Sequence, residues 1–370
     1  MHVEYVNDNT KGKFYYTLRG RVETYFRKNK IDPRVSTEMY VKTAVILLFH
    51  MLSYYCMHYA NIPFIFAIAA SVIHSVCICQ IGVSIQHDAN HGAYSKSPFL
   101  CKLLGCTLDL IGVSSYKWKK QHVVGHHAYT NVVGVDPDIN VTASDPRRYA
   151  NTHPRYSIHK YQHIYVMFLY SLMSFKTFLV DDFMSILKSK LGPIIFLSKM
   201  NNSEIGIFIV GKLWFLTYFV ALPLIWGFRS LSCTLLVMMI PLFLSGILLA
   251  VMFQVSHVTN DVDWFYSHDG KVAKGWGESQ VLGSADYCHG SWFWTHFSGG
   301  LNYQVVHHLF PGVCHCHYPT IAPIVIDTCK EFGIHYQIYS SFMSALKAHL
   351  SHLKHMGEHE LRIPTMHQLG

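Results

Sequence analysis

Charge is scarce in this chain: of 370 residues only 14% are Asp, Glu, Lys or Arg, against 51% apolar. Soluble domains usually carry ~25% charged residues, so a water-facing globule would have too little charge to cover itself. Paired cysteines are missing too. The ten cysteines contain no Cys-x-x-Cys, and Cys77, Cys79 and Cys101 fall in apolar stretches. That pattern reads as reduced, buried thiols and excludes a disulfide framework. Residues 1–39 are polar and basic, without a short apolar core and cleavage site, so no signal peptide is expected. Internal repeats, low-complexity tracts and Gly/Ser-rich linkers are absent. Histidine is what the chain has in excess, with 26 copies, on a formal charge of +8. The positive balance suits a surface facing anionic lipid or an acidic partner; no nucleic-acid partner is expected.

Four apolar stretches approach the ~20 residues that a spanning helix needs. They are about 40–59, 62–85, 205–226 and 231–255. The first two are joined by Ala60-Asn61 and the last two by Gly227–Ser230, so two tight helical hairpins are expected. Pro98–Ser114 is expected to be half-inserted or packed beneath the bundle. Ile164–Val180, with Lys176 and the following Asp181-Asp182, favours an interfacial helix over a fifth span. The arm before the first span carries Lys11, Lys13, Arg19, Arg21, Arg27, Lys28, Lys30 and Arg34, whereas the hairpin loops carry only Arg229. The excess of positive charge assigns the arm, the central loop and the tail to the cytosol. The expected organisation is a basic arm (1–39), a membrane domain (40–355) and a tail (356–370).

Three histidine clusters fall on that one face. They are His87-Asp-Ala-Asn-His91, His122-Val-Val-Gly-His126-His127 and Gln304-Val-Val-His307-His308. Residues four apart stand on one face of a helix, so His87 and His91 can aim at one point, as can His122 and His126. His257 lies just past the fourth span at the same edge. Eight imidazoles are too many for one zinc and about right for two metals with open positions. The Glu and Glu-x-x-His ligands of soluble di-iron bundles are missing, but imidazole also suits iron. Asp88, Asn90, Asn131, Asp136 and Asp138 are candidates to orient the ligating rings; Asn131, Asp136 and Asp138 also suit turns. His50, His58 and His74 read as packing residues. Cys314-His-Cys-His317 reads as a structural turn, its ligands being too crowded for a tetrahedral zinc site. Trp292-Phe-Trp294 reads as an interfacial anchor.

The stretch Gly299-Gly-Leu-Asn-Tyr-Gln-Val-Val-His-His-Leu-Phe-Pro311 resembles the third histidine box of front-end membrane fatty-acid desaturases, with Gln304 replacing that box's first histidine. Trp118–Asn131 resembles the second box and His87–His91 the first; the resemblance spans roughly 14–355. It implies that His87, His91, His122, His126, His127, His307 and His308 ligate two irons, with His257 as a further ligand and Gln304 and Asn302 completing or supporting the site. It also implies an all-α integral membrane protein, with four transmembrane helices in two hairpins and a cytosolic helical cap holding the di-iron site. The implied reaction is O2-dependent insertion of a double bond into an acyl-CoA or acyl-lipid. Most members carry an N-terminal cytochrome b5 domain with a His-Pro-Gly-Gly motif, which does not occur here. Electrons are therefore expected from free cytochrome b5 and its NADH-dependent reductase, at the endoplasmic reticulum membrane. A lipid hydroxylase or a sphingolipid desaturase shares the boxes. A metal transporter or receptor is the non-enzyme alternative, and would need histidines along the spans.

Overall fold

The computed structural model describes residues 3–141, 144–191 and 195–358, and these are predominantly helical. Helix α1 is Phe14–Asn29. Next come α2 (Thr37–His58), α3 (Phe64–Asn90), α4 (Pro98–Leu110), α5 (Ser115–His126), α6 (Ser157–Ser171) and α7 (Met173–Lys188). They are followed by α8 (Asn202–Trp226) and α9 (Leu231–Gln254). Short helices α10 (Trp276–Leu282), α11 (Trp292–Phe297) and α12 (Gln304–Leu309) lead to α13 (Tyr318–Glu331) and α14 (Phe342–Glu358). Two-stranded pairs complete the frame. Glu4–Val6 runs parallel to Lys271–Gly275, and Ala285–Tyr287 parallel to Gln337–Tyr339. Lys190–Leu191 pairs antiparallel with Ile195–Phe196.

Helices α2, α3, α8 and α9 are long and apolar enough to cross a membrane. Their side chains sort by face. On α2, Met39, Thr43, Ile46, Ser53 and Met57 point inward, while Val41, Val45, Leu48, Leu52 and Tyr55 form an exposed apolar stripe at helical spacing. Such a stripe suits hydrocarbon and not water. Helix α3 is central and packs against both α2 and α9. It runs on to Asn90, past the expected end at 85, because a π-turn at Ile81–Ile85 carries the helix into the first histidine box. The segment expected to be half-inserted, Pro98–Ser114, is α4 and the turn after it; α4 and α5 meet at 112°, and α6–α7 bends by 57°. Neither pair crosses as one straight helix.

The basic arm is not a free tail. Phe14, Leu18, Val22 and Phe26 recur every fourth residue and pack with Val305, Val306 and Leu309 of α12 and with Ile321 and Val325 of α13. Helix α1 therefore lies directly behind the third box. The expected boundary of the tail at 356 falls inside α14, and residues 359–370 of that tail lie outside the described residues. Trp292 and Phe293 are exposed, as an anchor requires, whereas Trp294 stacks on Phe342 at 4.5 Å.

Candidate metal centre

Four pieces of backbone deliver the imidazoles. The last turn of α3 carries His87, with His91 just beyond it. A π-turn over Lys119–His126 carries His122 and His126, and His127 follows. His257 lies three residues past α9, and α12 carries His307 and His308. The third box reaches this point through Gly299 and Gly300, at φ +63° and +80°. A Cβ on Gly299 would sit 2.1 Å from the Val83 carbonyl oxygen, so only glycine lets the box lie against α3.

All eight rings come together, and they divide into two sets. Ligating nitrogens of His87, His91, His122 and His307 lie within 4.8 Å of one another, as do those of His126, His257 and His308. His127 stands between the sets, its Nε2 3.3 Å from His122 Nε2 and its ring stacked on His308 at 4.4 Å. His122 and His126 share a face, as their spacing requires, and each turns its Nδ1 toward Asp138 while its other nitrogen points elsewhere. Their rings lie side by side, 5.3 Å apart along the helix, so each serves a different set.

Outward-facing nitrogens are held by specific acceptors. His126 Nδ1 donates to Asp136 (2.9 Å) and His122 Nδ1 to Asp138 (3.1 Å). His257 Nδ1 donates to the Gly283 carbonyl (3.0 Å), and His308 Nδ1 to Gln280 Oε1 (2.9 Å). His307 Nδ1 meets the Tyr318 hydroxyl at 3.1 Å. The contacts to carboxylate, carbonyl and amide oxygens turn Nδ1–H outward and Nε2 inward, and the Tyr318 hydroxyl fixes the orientation of His307. Asp136 also accepts the backbone N–H of Asn131 (2.9 Å) and of Asp138 (2.9 Å), so the turn and the orienting role coincide. Asn131 takes φ +55° and its amide donates to the His257 carbonyl (3.0 Å), tying the second box to that ring. Gln304 stands among the ligating atoms: its amide nitrogen is 2.8 Å from His257 Nε2 and 3.2 Å from His308 Nε2. A half-turn of that amide would present its oxygen instead.

Two of the sequence candidates do not reach the rings. Asn90 is engaged by Gln86 and the Gly105 carbonyl, which pins α4 to α3. Asn302 is engaged by Ser298 and Thr295 within the glycine turn. His50 and His74 stack on each other at 4.2 Å between α2 and α3. His58 is buried near Tyr54, so none of these three joins the centre.

Comparison with known proteins gives this geometry a family. Residues 61–340 match the family model described as fatty acid desaturase. Over 350 residues the chain is 43% identical to an acyl-lipid (8-3)-desaturase of Physcomitrium patens, covering 95% of this chain and 73% of that one. It is 34% identical to Delta(5) fatty acid desaturase A of Dictyostelium discoideum, covering 94% and 75%. An sn-1 linoleoyl-lipid 6-desaturase of Synechocystis sp. is 31% identical, covering 96% and 98%. The chain belongs to the fatty acid desaturase family. It is thus an oxidoreductase, and the transporter and receptor readings fall.

The donor set of this desaturase fits metal. Nε2 of His87, His91 and His307 is buried without a hydrogen-bond partner among the described residues, and all three rings belong to the same set. Unpaired buried nitrogens are costly unless something else fills the space between them. Burial, and after it the neighbouring imidazoles, holds His91, His127, His257, His307 and His308 well below the ordinary histidine range, which keeps their lone pairs free. His122 is pushed down to about 4 by burial, against the pull of Asp138.

His126 goes the other way. Burial lowers it, but the Asp136 carboxylate and then Asp138 outweigh that and raise it to about 8. The pairing with Asp136 favours the protonated ring, and a bound ion must displace that proton. Metal uptake by the second set should strengthen as pH rises from 6 to 8. Metal per chain, measured after equilibration of stripped enzyme at each pH, tests this; equal loading across the range would contradict it.

The orienting residues that sequence alone did not single out are Gln280, Tyr318, Thr130 and the Gly283 carbonyl. Thr130 alone carried a signal, sitting four residues after His126, where its hydroxyl donates to the His126 carbonyl at 2.8 Å.

Proposed function

We propose that this desaturase is a front-end enzyme that inserts a double bond on the carboxyl side of an existing one in a lipid acyl chain. Two irons held by the eight imidazoles, with O2 reduced to water, would support the reaction. The observation that carries this reading is the buried pair of imidazole sets, with Gln304 among the nitrogens of the second. An unactivated C–H bond has no acidity for side-chain acid–base catalysis to use, and bound iron would supply the O2 chemistry that breaks it. Two hydrogens leave neighbouring carbons, and with two electrons and two protons from outside they account for both waters formed from O2.

The protein's own part is placement and dryness. Asp136, Asp138, Gln280 and the Gly283 carbonyl hold their rings with Nδ1 outward, and Tyr318 holds the orientation of His307. Beside the centre, Cys79, Val83, Met252 and Leu301 form a buried apolar cluster with Phe253 and Phe297 packed on it. Phe253 also touches the His122 ring, at 5.8 Å between centroids. An acyl chain running alongside these residues would be free of water. Similarity to the acyl-lipid desaturase of Physcomitrium and the linoleoyl-lipid desaturase of Synechocystis favours an acyl-lipid over an acyl-CoA.

Two hairpins, with both termini and the centre on the cytosolic side of the endoplasmic reticulum membrane, are part of the same proposal. Arg229 supports it by donating to the Met57 carbonyl (2.8 Å) at the end of α2, which ties the two short loops together. Electrons would come from separate cytochrome b5. Arg19, Arg21, Arg27, Lys28 and Lys30 are exposed on or beside α1, behind the third box, and offer an acidic donor a basic face.

Expression in yeast fed a panel of polyunsaturated acids, followed by mass analysis of total lipids, tests the proposal. The expected product is two hydrogens lighter, with its new double bond nearer the carboxyl end, and is lost in a host lacking cytochrome b5. A product heavier by one oxygen would make the enzyme a hydroxylase, and a modified sphingoid base would move its substrate.

A further inference from the structure

His87 lacks the kind of partner that stands behind His122 and His307, which meet Asp138 and the Tyr318 hydroxyl. Its Nδ1 has no hydrogen-bond partner among the described residues, although the side chain is buried. The nearest candidate is Asp88, whose Oδ1 is 3.8 Å away. The other oxygen of that carboxylate is firmly held. Asp88 Oδ2 accepts from His315 twice, from Nδ1 at 2.8 Å and from the backbone N–H at 3.2 Å. On the far side of the His315 ring, Nε2 lies 3.1 Å from Lys42 Nζ, which also donates to the His296 carbonyl at 2.7 Å. Whichever of Lys42 Nζ and His315 Nε2 carries the proton between them, His315 Nδ1 keeps its hydrogen toward Asp88. The ring is therefore locked in a donating tautomer. Nothing around it is loose. His315 and Asp88 are buried, the Cys314 N–H donates to the Pro33 carbonyl at 2.7 Å, and a Cβ on Gly300 would meet the His315 Cβ at 2.4 Å.

We propose that His315, backed by Lys42, is a positioning residue for the metal centre: it pins one oxygen of Asp88 so that the other is aimed at His87 Nδ1. The motif Cys314-His-Cys-His317 thus acts as an arm that reaches from the start of α13 to the first histidine box. The inference rests on the reading of His87 as an iron ligand. It accounts for the third box and the first being braced against each other, because the same segment that follows His307 and His308 holds the residue next to His87.

The test is iron content of the purified full-length enzyme, read separately from turnover. Removing a partner behind a ligating ring typically weakens metal binding about 10–100-fold. His315→Leu should lose iron at limiting supply, down to about half of the wild-type content, with the loss confined to one set. His315→Asn places an N–H near the position of Nδ1 and should recover most of the iron. Because the effect runs through Asp88, Asp88→Asn and the double variant Asp88→Asn/His315→Leu should hold the same amount. A further loss in the double variant, or wild-type iron in His315→Leu, overturns the proposal. If His315→Leu fails to accumulate in membranes, Lys42→Met decides. Reduced iron supports the proposal, and unchanged iron overturns it. Wild-type enzyme without iron would instead remove the reading of the centre itself, so the two failures are distinct.

Discussion

Replacement of His307 by alanine is expected to abolish product while leaving the protein in the membrane. The ring is buried, its Nδ1 is held by Tyr318 and its Nε2 is unpartnered beside the nitrogens of His87, His91 and His122. Alanine removes one of four donors from that set, and water entering the gap cannot reproduce a fixed imidazole. The loss of turnover should exceed the ~10–100-fold that follows removal of a partner behind a ligand. His126→Ala should behave alike through the second set, and an iron chelator should give the same result on unmodified enzyme. Exposed His335 serves as the control, and its alanine variant should make product normally. Lipid analysis alongside quantification of protein in the membrane fraction makes the comparison. Normal product from His307→Ala would remove the metal centre from the mechanism.

Much of this architecture could be read from sequence because a bilayer leaves the chain few options. A span must be a long apolar helix, so runs at about 40–59 and 205–226 foretell Thr37–His58 and Asn202–Trp226 to within three residues. The histidine clusters were legible for a related reason. Ionisable rings at a membrane edge are expensive, so three clusters of them point to a shared functional site. His257 had no motif, only its place just past the end of α9.

What could not be read is what holds the rings. Gln280 and Tyr318 lie on α10 and α13, carry no spacing signal, and meet His308 and His307 only through tertiary packing. The π-turns at Ile81–Ile85 and Lys119–His126 were hidden for another reason. One extra residue in a turn leaves composition and periodicity almost unchanged, yet redirects every side chain that follows. Asn90 and Asn302 adjoin the boxes in sequence, but nearness along the chain is not nearness to the rings. Each is instead engaged by a neighbouring backbone turn.

Lys212→Met is expected to destabilise the protein more than any change at its surface. Lys212 is buried on α8 and donates to Asp182 Oδ2 (2.7 Å) and the Gly112 carbonyl (2.7 Å). Asp182 Oδ2 also accepts the Ser114 N–H at 2.8 Å. One ion pair thus ties α7 and α8 to the turn at Gly112–Ser114, which makes the 112° bend and aims α5, with His122 and His126, at the imidazole cluster. Removing only the lysine leaves a buried carboxylate uncompensated, which typically costs about 3–5 kcal/mol. Lys212→Met/Asp182→Asn removes both charges yet keeps an oxygen for the Ser114 N–H, so it should be more stable than Lys212→Met alone. Thermal loss of the monodisperse species in detergent gives the order: wild type, then the double variant, then Lys212→Met. A double variant no better than Lys212→Met would mean that the lysine acts by packing over Phe178, 4.7 Å from its ring centroid, and not by pairing Asp182.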